Sequence, residues 1–136
     1  MTAQPDAIGR FDEGMRVRRE VLGDEHVDRS LEQATDFARP LQEWVTGCGW
    51  GAVWTRPGLD RRTRSLLNLA MLTALNRMHE FSVHVRGAVV NGCTDEEIRE
   101  TLLQAALYCG APAALESSRV AQRVLEEMRG AEKKQS

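Results

Sequence analysis

Lysine is nearly absent: Lys133 and Lys134 are the only two, both in the tail, so every basic residue before them is arginine. A codon bias produces the same pattern, but arginine is also the side chain that grips carboxylates with two parallel bonds, which suits an anionic ligand. Net charge is only −2 and the pI near 5.9, which excludes a basic nucleic-acid surface. Long apolar runs are missing too. The longest, Ser65-Leu-Leu-Asn-Leu-Ala-Met-Leu-Thr-Ala-Leu75, is broken by polar residues well short of a membrane span. The first residues lack the basic-then-apolar pattern of an export signal, and the expectation is a cytoplasmic protein with no membrane partner. Three cysteines, Cys48, Cys93 and Cys109, include no C-x-x-C pair and no histidines at zinc-ligand spacing. They read as buried reduced thiols, with Cys109 a small buried residue at a helix end.

What is present is helix. No segment alternates as a strand does, and 136 residues suffice for one domain with its own core. Gly23 ends a helix over 11–22, and a short one over 24–33 follows. Thr35 or Asp36 caps the next, which brings Phe37, Leu41, Trp44 and Val45 onto one stripe until Gly47, Gly49 and Gly51 interrupt it. Residues 54–58 make a turn. Asp60 caps a helix through Asn76, apolar on most sides and therefore expected to be central and buried. After a break at 77–79, a helix over 80–91 ends at Gly92. Thr94-Asp-Glu-Glu97 is a capping box for a helix that turns Ile98, Leu102, Leu103, Ala106 and Leu107 inward and runs to 109–110. Pro112 opens a last helix to about Met128, and residues 130–136 form a charged, frayed tail.

Within Arg77-Met-His-Glu-Phe-Ser-Val-His84, Glu80 and His84 stand one helical turn apart and share a face. An acid and an imidazole so placed can hold, donate and accept a proton near neutral pH. The same spacing also makes an ordinary solvated helix contact worth a few tenths of a kcal/mol. Arg77, one turn before Glu80, can meet a substrate carboxylate or pair with Glu80 itself. Trp50 and Trp54 can wall a flat ligand or anchor a core or interface. Arg61, Arg62 and Arg64 cluster where the apolar helix begins, as subunit salt-bridge partners would, while His26 and His79 read as surface residues.

From Trp50 to Ala114 the chain resembles the carboxymuconolactone decarboxylase family. The matching text is Trp50-Gly-Ala-Val-Trp-Thr-Arg-Pro-Gly-Leu-Asp-Arg-Arg-Thr-Arg-Ser65, Asn68-Leu-Ala-Met-Leu-Thr-Ala-Leu-Asn-Arg77, Glu80-x-x-x-His-Val-Arg-Gly-Ala88, Asn91-Gly92, Glu96-Glu-Ile98 and Tyr108-Cys-Gly-Ala-Pro-Ala-Ala114. Gly14-Met-Arg-Val-Arg-Arg-Glu-Val-Leu-Gly-Asp24 resembles the same subfamily. Met78 stands where the family pattern has proline, Phe81 where leucine is commoner and Cys93 where a small aliphatic residue is usual. The resemblance implies an all-α, single-domain helical bundle of about six to seven helices, alkylhydroperoxidase D-like, assembled as a homo-oligomer, a trimer or hexamer. Thiol-dependent peroxidase partners in the wider superfamily carry a pattern like C-x-x-C-x-x-x-H; here Arg77 and Glu80 occupy the two cysteine positions and His84 keeps the histidine's, which removes dithiol chemistry.

The activity implied is decarboxylation of 4-carboxymuconolactone, a small-molecule dicarboxylate lactone, to β-ketoadipate enol-lactone in aromatic catabolism. Its lactone carbonyl takes the electron pair that carbon dioxide leaves behind, so no cofactor or metal is called for. On this reading Glu80 and His84 are catalytic and share the transferred proton. Arg77, Arg56, Trp50 and Trp54 are candidates for binding substrate, Arg56 by reaching a pocket or else by stabilising its turn. The competing readings are a thiol-dependent peroxidase or reductase partner, a non-catalytic helical binding or assembly protein, and a related decarboxylase of another acid.

Overall fold

The computed structural model describes residues 7–135, which hold seven α-helices, one π-helical segment and no strand. The residues that bear on an export signal, 1–6, and the last residue of the tail, Ser136, lie outside the described residues. The chain divides between Leu59 and Asp60 into two compact units.

The first unit contains α1 (Ala7–Leu22), α2 (Asp24–Gln33), α3 (Arg39–Trp44) and the π-helical segment Val45–Val53. Gly23, at φ 88°, makes the break between α1 and α2 in a conformation that costs glycine little. Arg19 on α1 bridges to Asp24 at 3.1 Å and Asp28 at 2.9 Å on α2, and these two carboxylates raise the guanidinium above its usual range. The cap expected at Thr35 or Asp36 is not formed. Ala38 is the N-cap, without a side-chain bond, and Pro40 pre-sets the first turn. Nor do Gly47, Gly49 and Gly51 interrupt the helix: the winding widens instead, with Trp54 N donating to Gly49 O at 3.1 Å.

Close approach explains Gly51, together with Gly14 on α1. A Cβ on Gly14 of α1 would lie 2.0 Å from Thr46 O, and one on Gly51 would lie 2.2 Å from Arg10 O, so the two backbones touch where side chains would part them. Arg18, buried beside this contact, donates to Thr46 Oγ1 at 3.1 Å, and that hydroxyl donates to Gln42 O at 2.8 Å.

The second unit contains α4 (Arg61–Ala74), α5 (Met78–Val90), α6 (Asp95–Cys109) and α7 (Ala111–Gln135) around a core of Leu69, Phe81, Val85, Ala88, Ile98, Leu102, Ala121 and Val124. Asp60 caps α4 through Thr63 N at 2.8 Å, and hydrogen bonds from the Thr63 hydroxyl and then its N–H hold the Asp60 carboxyl below the ordinary range. Thr94 and Glu97 close the capping box on α6. Four expectations are corrected. Helix α4 is not buried all round: Leu67, Met71 and Leu75 stand exposed along one edge. On α6 only Ile98 and Leu102 of the expected stripe are buried. Leu103 and Leu107 point outward, turned about 100° and about 140° round the helix from Leu102. Helix α7 continues through the tail to Gln135, since Ala131, Glu132, Lys133 and Lys134 are all good helix formers. Among the cysteines only Cys93 is buried; Cys48 and Cys109 are exposed, and all three are free thiols. Arg62, one of the three arginines clustered where α4 begins, pairs with Glu97 within this unit.

Candidate active site

Helix α5 starts two residues earlier than expected, at Met78, so that Glu80 falls in its first turn and His84 in its second. The pair lies on one continuous helix face, immediately beside the stripe formed by the buried Phe81 and Val85. Glu80 is exposed and His84 half-buried, so a wet carboxyl adjoins an imidazole set at the margin of the core. Arg77 occupies the N-cap position at φ −100° and ψ 75°, and its side chain makes no capping bond. It too is exposed, and among the described residues neither Arg77 nor Glu80 closes an ion pair.

Helix α4 lies antiparallel against α5 and supplies polar groups that spacing along the sequence does not reveal. Asn68 Nδ2 stands 3.4 Å from His84 Nδ1, sixteen residues along the chain. Nearer the far end of the pair, Asn91 Nδ2 donates to Ser65 Oγ at 2.9 Å and to Arg61 O at 3.4 Å. Asn68 is thus a neighbour of His84 that the sequence reading passed over, while Asn91 ties α4 to the end of α5. The available signal was the amide itself, because Asn68 interrupts a helix that is otherwise apolar from 66 to 72. An amide facing the inside of a helix pair needs a partner.

Cys93, close after α5, has its thiol pushed up by burial, partly offset by the Arg62 charge. A neutral, enclosed sulfur is a poor nucleophile. Among the described residues no group of three or more His, Cys, Asp or Glu side chains converges as metal ligands would.

In the first unit, Trp50 and Trp54 stack with ring centroids 4.7 Å apart and planes at 23°. Trp50 packs against Val17 and Val21 and is 5% exposed, which is the environment of a core anchor. Arg56 is exposed in the turn that follows, its backbone N–H bonded to Val53 O at 3.0 Å, and Thr55 Oγ1 donates to Gly51 O at 2.6 Å.

The carboxymuconolactone decarboxylase family profile matches residues 39–123. A nitrosuccinic acid decarboxylase of the fungus Metarhizium robertsii is 49% identical over 118 residues, covering 87% of this chain and 82% of its own. A 4-carboxymuconolactone decarboxylase of Acinetobacter baylyi is 43% identical over 119 residues, covering 88% of this chain and 89% of its own. A 4-carboxymuconolactone decarboxylase of Pseudomonas putida is 57% identical over 46 residues, which is 32% of this chain and 96% of that sequence. The chain belongs to the carboxymuconolactone decarboxylase family.

Proposed function

We propose that this protein is a cofactor-free carboxy-lyase that converts 4-carboxymuconolactone to β-ketoadipate enol-lactone, in the breakdown of protocatechuate. The observation that carries the reading is the match to the Acinetobacter baylyi enzyme across nearly the whole of both chains. The half-buried His84, one turn from Glu80 on α5, supports it.

The chemistry follows from the substrate. When the ring carboxylate leaves as carbon dioxide, the electrons of the broken bond pass through the ring double bond to the lactone carbonyl and form a dienolate. The ring carbon next to that carbonyl then takes a proton, and the double bond moves to its new place. The substrate is its own electron sink. The protein has to anchor a dianion, stabilise the dienolate oxygen and deliver one proton. We assign the proton to the Glu80–His84 pair. An ionised Glu80 repels a dianionic substrate, so the bound pair carries at least one proton. Arg77 offers a guanidinium beside the first turn of α5, whose N–H groups no side chain caps, a setting that favours carboxylates. Arg56, Trp50 and Trp54 are the further candidates for binding substrate, Arg56 as a second cation and the tryptophans as an aromatic wall. The assembly we propose is a homo-oligomer, a trimer or hexamer, in the cytoplasm. No helix among the described residues is long and apolar enough to cross a membrane.

The Metarhizium robertsii relative favours a second reading within the same chemistry. Nitrosuccinic acid is also a dicarboxylic acid whose lost carboxylate can leave its electrons on a built-in acceptor, the nitro group. Purified protein is offered each acid with chelator present and no cofactor, and loss of carboxylate is followed. Turnover of the lactone with a kcat/KM above that for nitrosuccinate is the expected result; the reverse order assigns the second substrate. His84→Gln and Glu80→Gln are each expected to lower kcat by about 10² or more. Near-wild-type rates in both variants overturn the assignment of the pair.

A further inference from the structure

Asn68 of α4 brings its side-chain Nδ2 to 3.4 Å from Nδ1 of the His84 imidazole. The distance is long for an amide hydrogen bond, and contacts of this kind tighten once substrate is held. Two features make the contact informative. Asn68 and His84 are both half-buried, and the next turns of the same helix pair are tied together by the Asn91–Ser65 bond at 2.9 Å, which fixes how α4 and α5 are set against each other. The two nitrogens of an imidazole also divide their work: whatever holds one determines which proton the other can exchange.

We propose that Asn68 is a positioning residue, whose side-chain amide occupies Nδ1 of His84, sets the plane of the ring and gives to Nε2 the proton exchanged with the substrate. The proposal rests on His84 being a proton-transfer group, as argued above. An amide fits this task better than a carboxylate. Toward the neutral ring, with Nδ1 bare, its N–H2 donates. Toward the imidazolium, whose Nδ1 carries hydrogen, the same amide turned half a revolution about Cβ–Cγ accepts through Oδ1. Both charge states are held without a full charge favouring either. In the reaction, the imidazolium gives its Nε2 proton to the ring carbon of the dienolate, whose electron pair forms the new C–H bond, and neutral imidazole remains. A proton from water restores the acid before the next turnover.

The charged groups on the facing stripes are Arg61 and Arg64 on α4 and Arg77 and Glu80 on α5, by their helical spacing from Asn68 and His84. Where α7 packs on α5, Arg86 and Glu127 are bonded at 2.6 Å. All of these remain in the variants used.

The test combines ring-nitrogen magnetic resonance of His84 with pH–rate profiles of the full chain, as wild type, Asn68→Leu and Asn68→Asp. In the wild type the neutral ring is expected as one tautomer, with hydrogen on Nε2. In Asn68→Leu the two tautomers mix, and kcat falls on the order of tenfold with little change in KM. In Asn68→Asp the carboxylate favours the imidazolium, and the titration of His84 and the basic limb of kcat/KM move upward together by about one pH unit. The near-isosteric Asn68→Asp keeps the test open should Asn68→Leu fail to fold. A wild-type ring with hydrogen on Nδ1, or variants whose tautomer and pH profile match wild type, overturns the proposal. Full turnover by His84→Gln removes instead the proton-transfer reading on which it stands, while the resonance spectra still decide whether Asn68 holds Nδ1.

Discussion

Asn91 and Ser65 are bonded across the α4–α5 pair at 2.9 Å, and Ser65 is wholly buried. Replacing Asn91 by Ala strips the serine hydroxyl of this donor in a place water does not reach. The expected cost is about 1–2 kcal/mol in urea unfolding. Adding Ser65→Ala removes the stranded group and should recover part of the loss, so the double variant is more stable than the two single changes summed. Strict additivity would show that the bond contributes nothing.

Gly14 admits no larger residue. The Cβ of Gly14→Ala would sit 2.0 Å from Thr46 O, a backbone atom that moves only if the π-helical segment moves with it. The expected loss is at least about 3 kcal/mol, at the upper end of overpacking costs. Alanine at Gly47, where a Cβ meets nothing within 4 Å, is the matched control and should leave thermal stability nearly unchanged.

Cys93 gives stability an alkaline dependence whose sign is fixed. Burial raises the thiol above its ordinary value of 9.0, so in the folded protein it stays neutral at a pH where the unfolded chain has begun to ionise. Its contribution is therefore whole below about pH 9 and is lost as pH rises from there through the folded value. Between pH 8 and 10 the urea midpoint of wild type should fall more steeply than that of Cys93→Ala. Parallel slopes would rule this out.

Thiol chemistry is expected to play no part in turnover. Cys48 and Cys109 are exposed and free, open to alkylation in the folded protein, and Arg77 and Glu80 stand where a redox relative would carry its paired cysteines. Lactone decarboxylation should be unchanged after both are alkylated. Loss of activity would revive the thiol-dependent reading.

How far the sequence foretold this molecule depended on how local each determinant was. The short helix Asp24–Gln33 and the capping box of α6 were legible, because Gly23 in one case and Thr94 with Glu97 in the other act on residues beside them. The glycines at 47, 49 and 51 were misread as breaks. Gly51 answers to the backbone of α1, far earlier in the chain, and no local pattern records such a contact; at Gly47 and Gly49 a Cβ would meet nothing within 4 Å. The helical tail was missed from the other side, since one glycine at 130 does not outweigh five helix-forming neighbours. In the candidate site, Glu80 and His84 could be paired from spacing alone. Asn68 could not, for its relation to His84 runs across the turn between two helices.

The π-helical segment Val45–Val53 also limits how the length of this chain can change. Its bonds close over five residues where an α-helix closes over four, so it accommodates extra residues that an ordinary turn would not hold. Deleting one residue inside it would let the winding revert and carry the positions beyond the deletion about 100° round the axis, taking Gly51 away from Arg10 and Trp54 off the face of Trp50. Insertions and deletions among relatives should therefore avoid residues 45–53 and collect in the turn at 54–59, where the chain can lengthen without rotating a packed face.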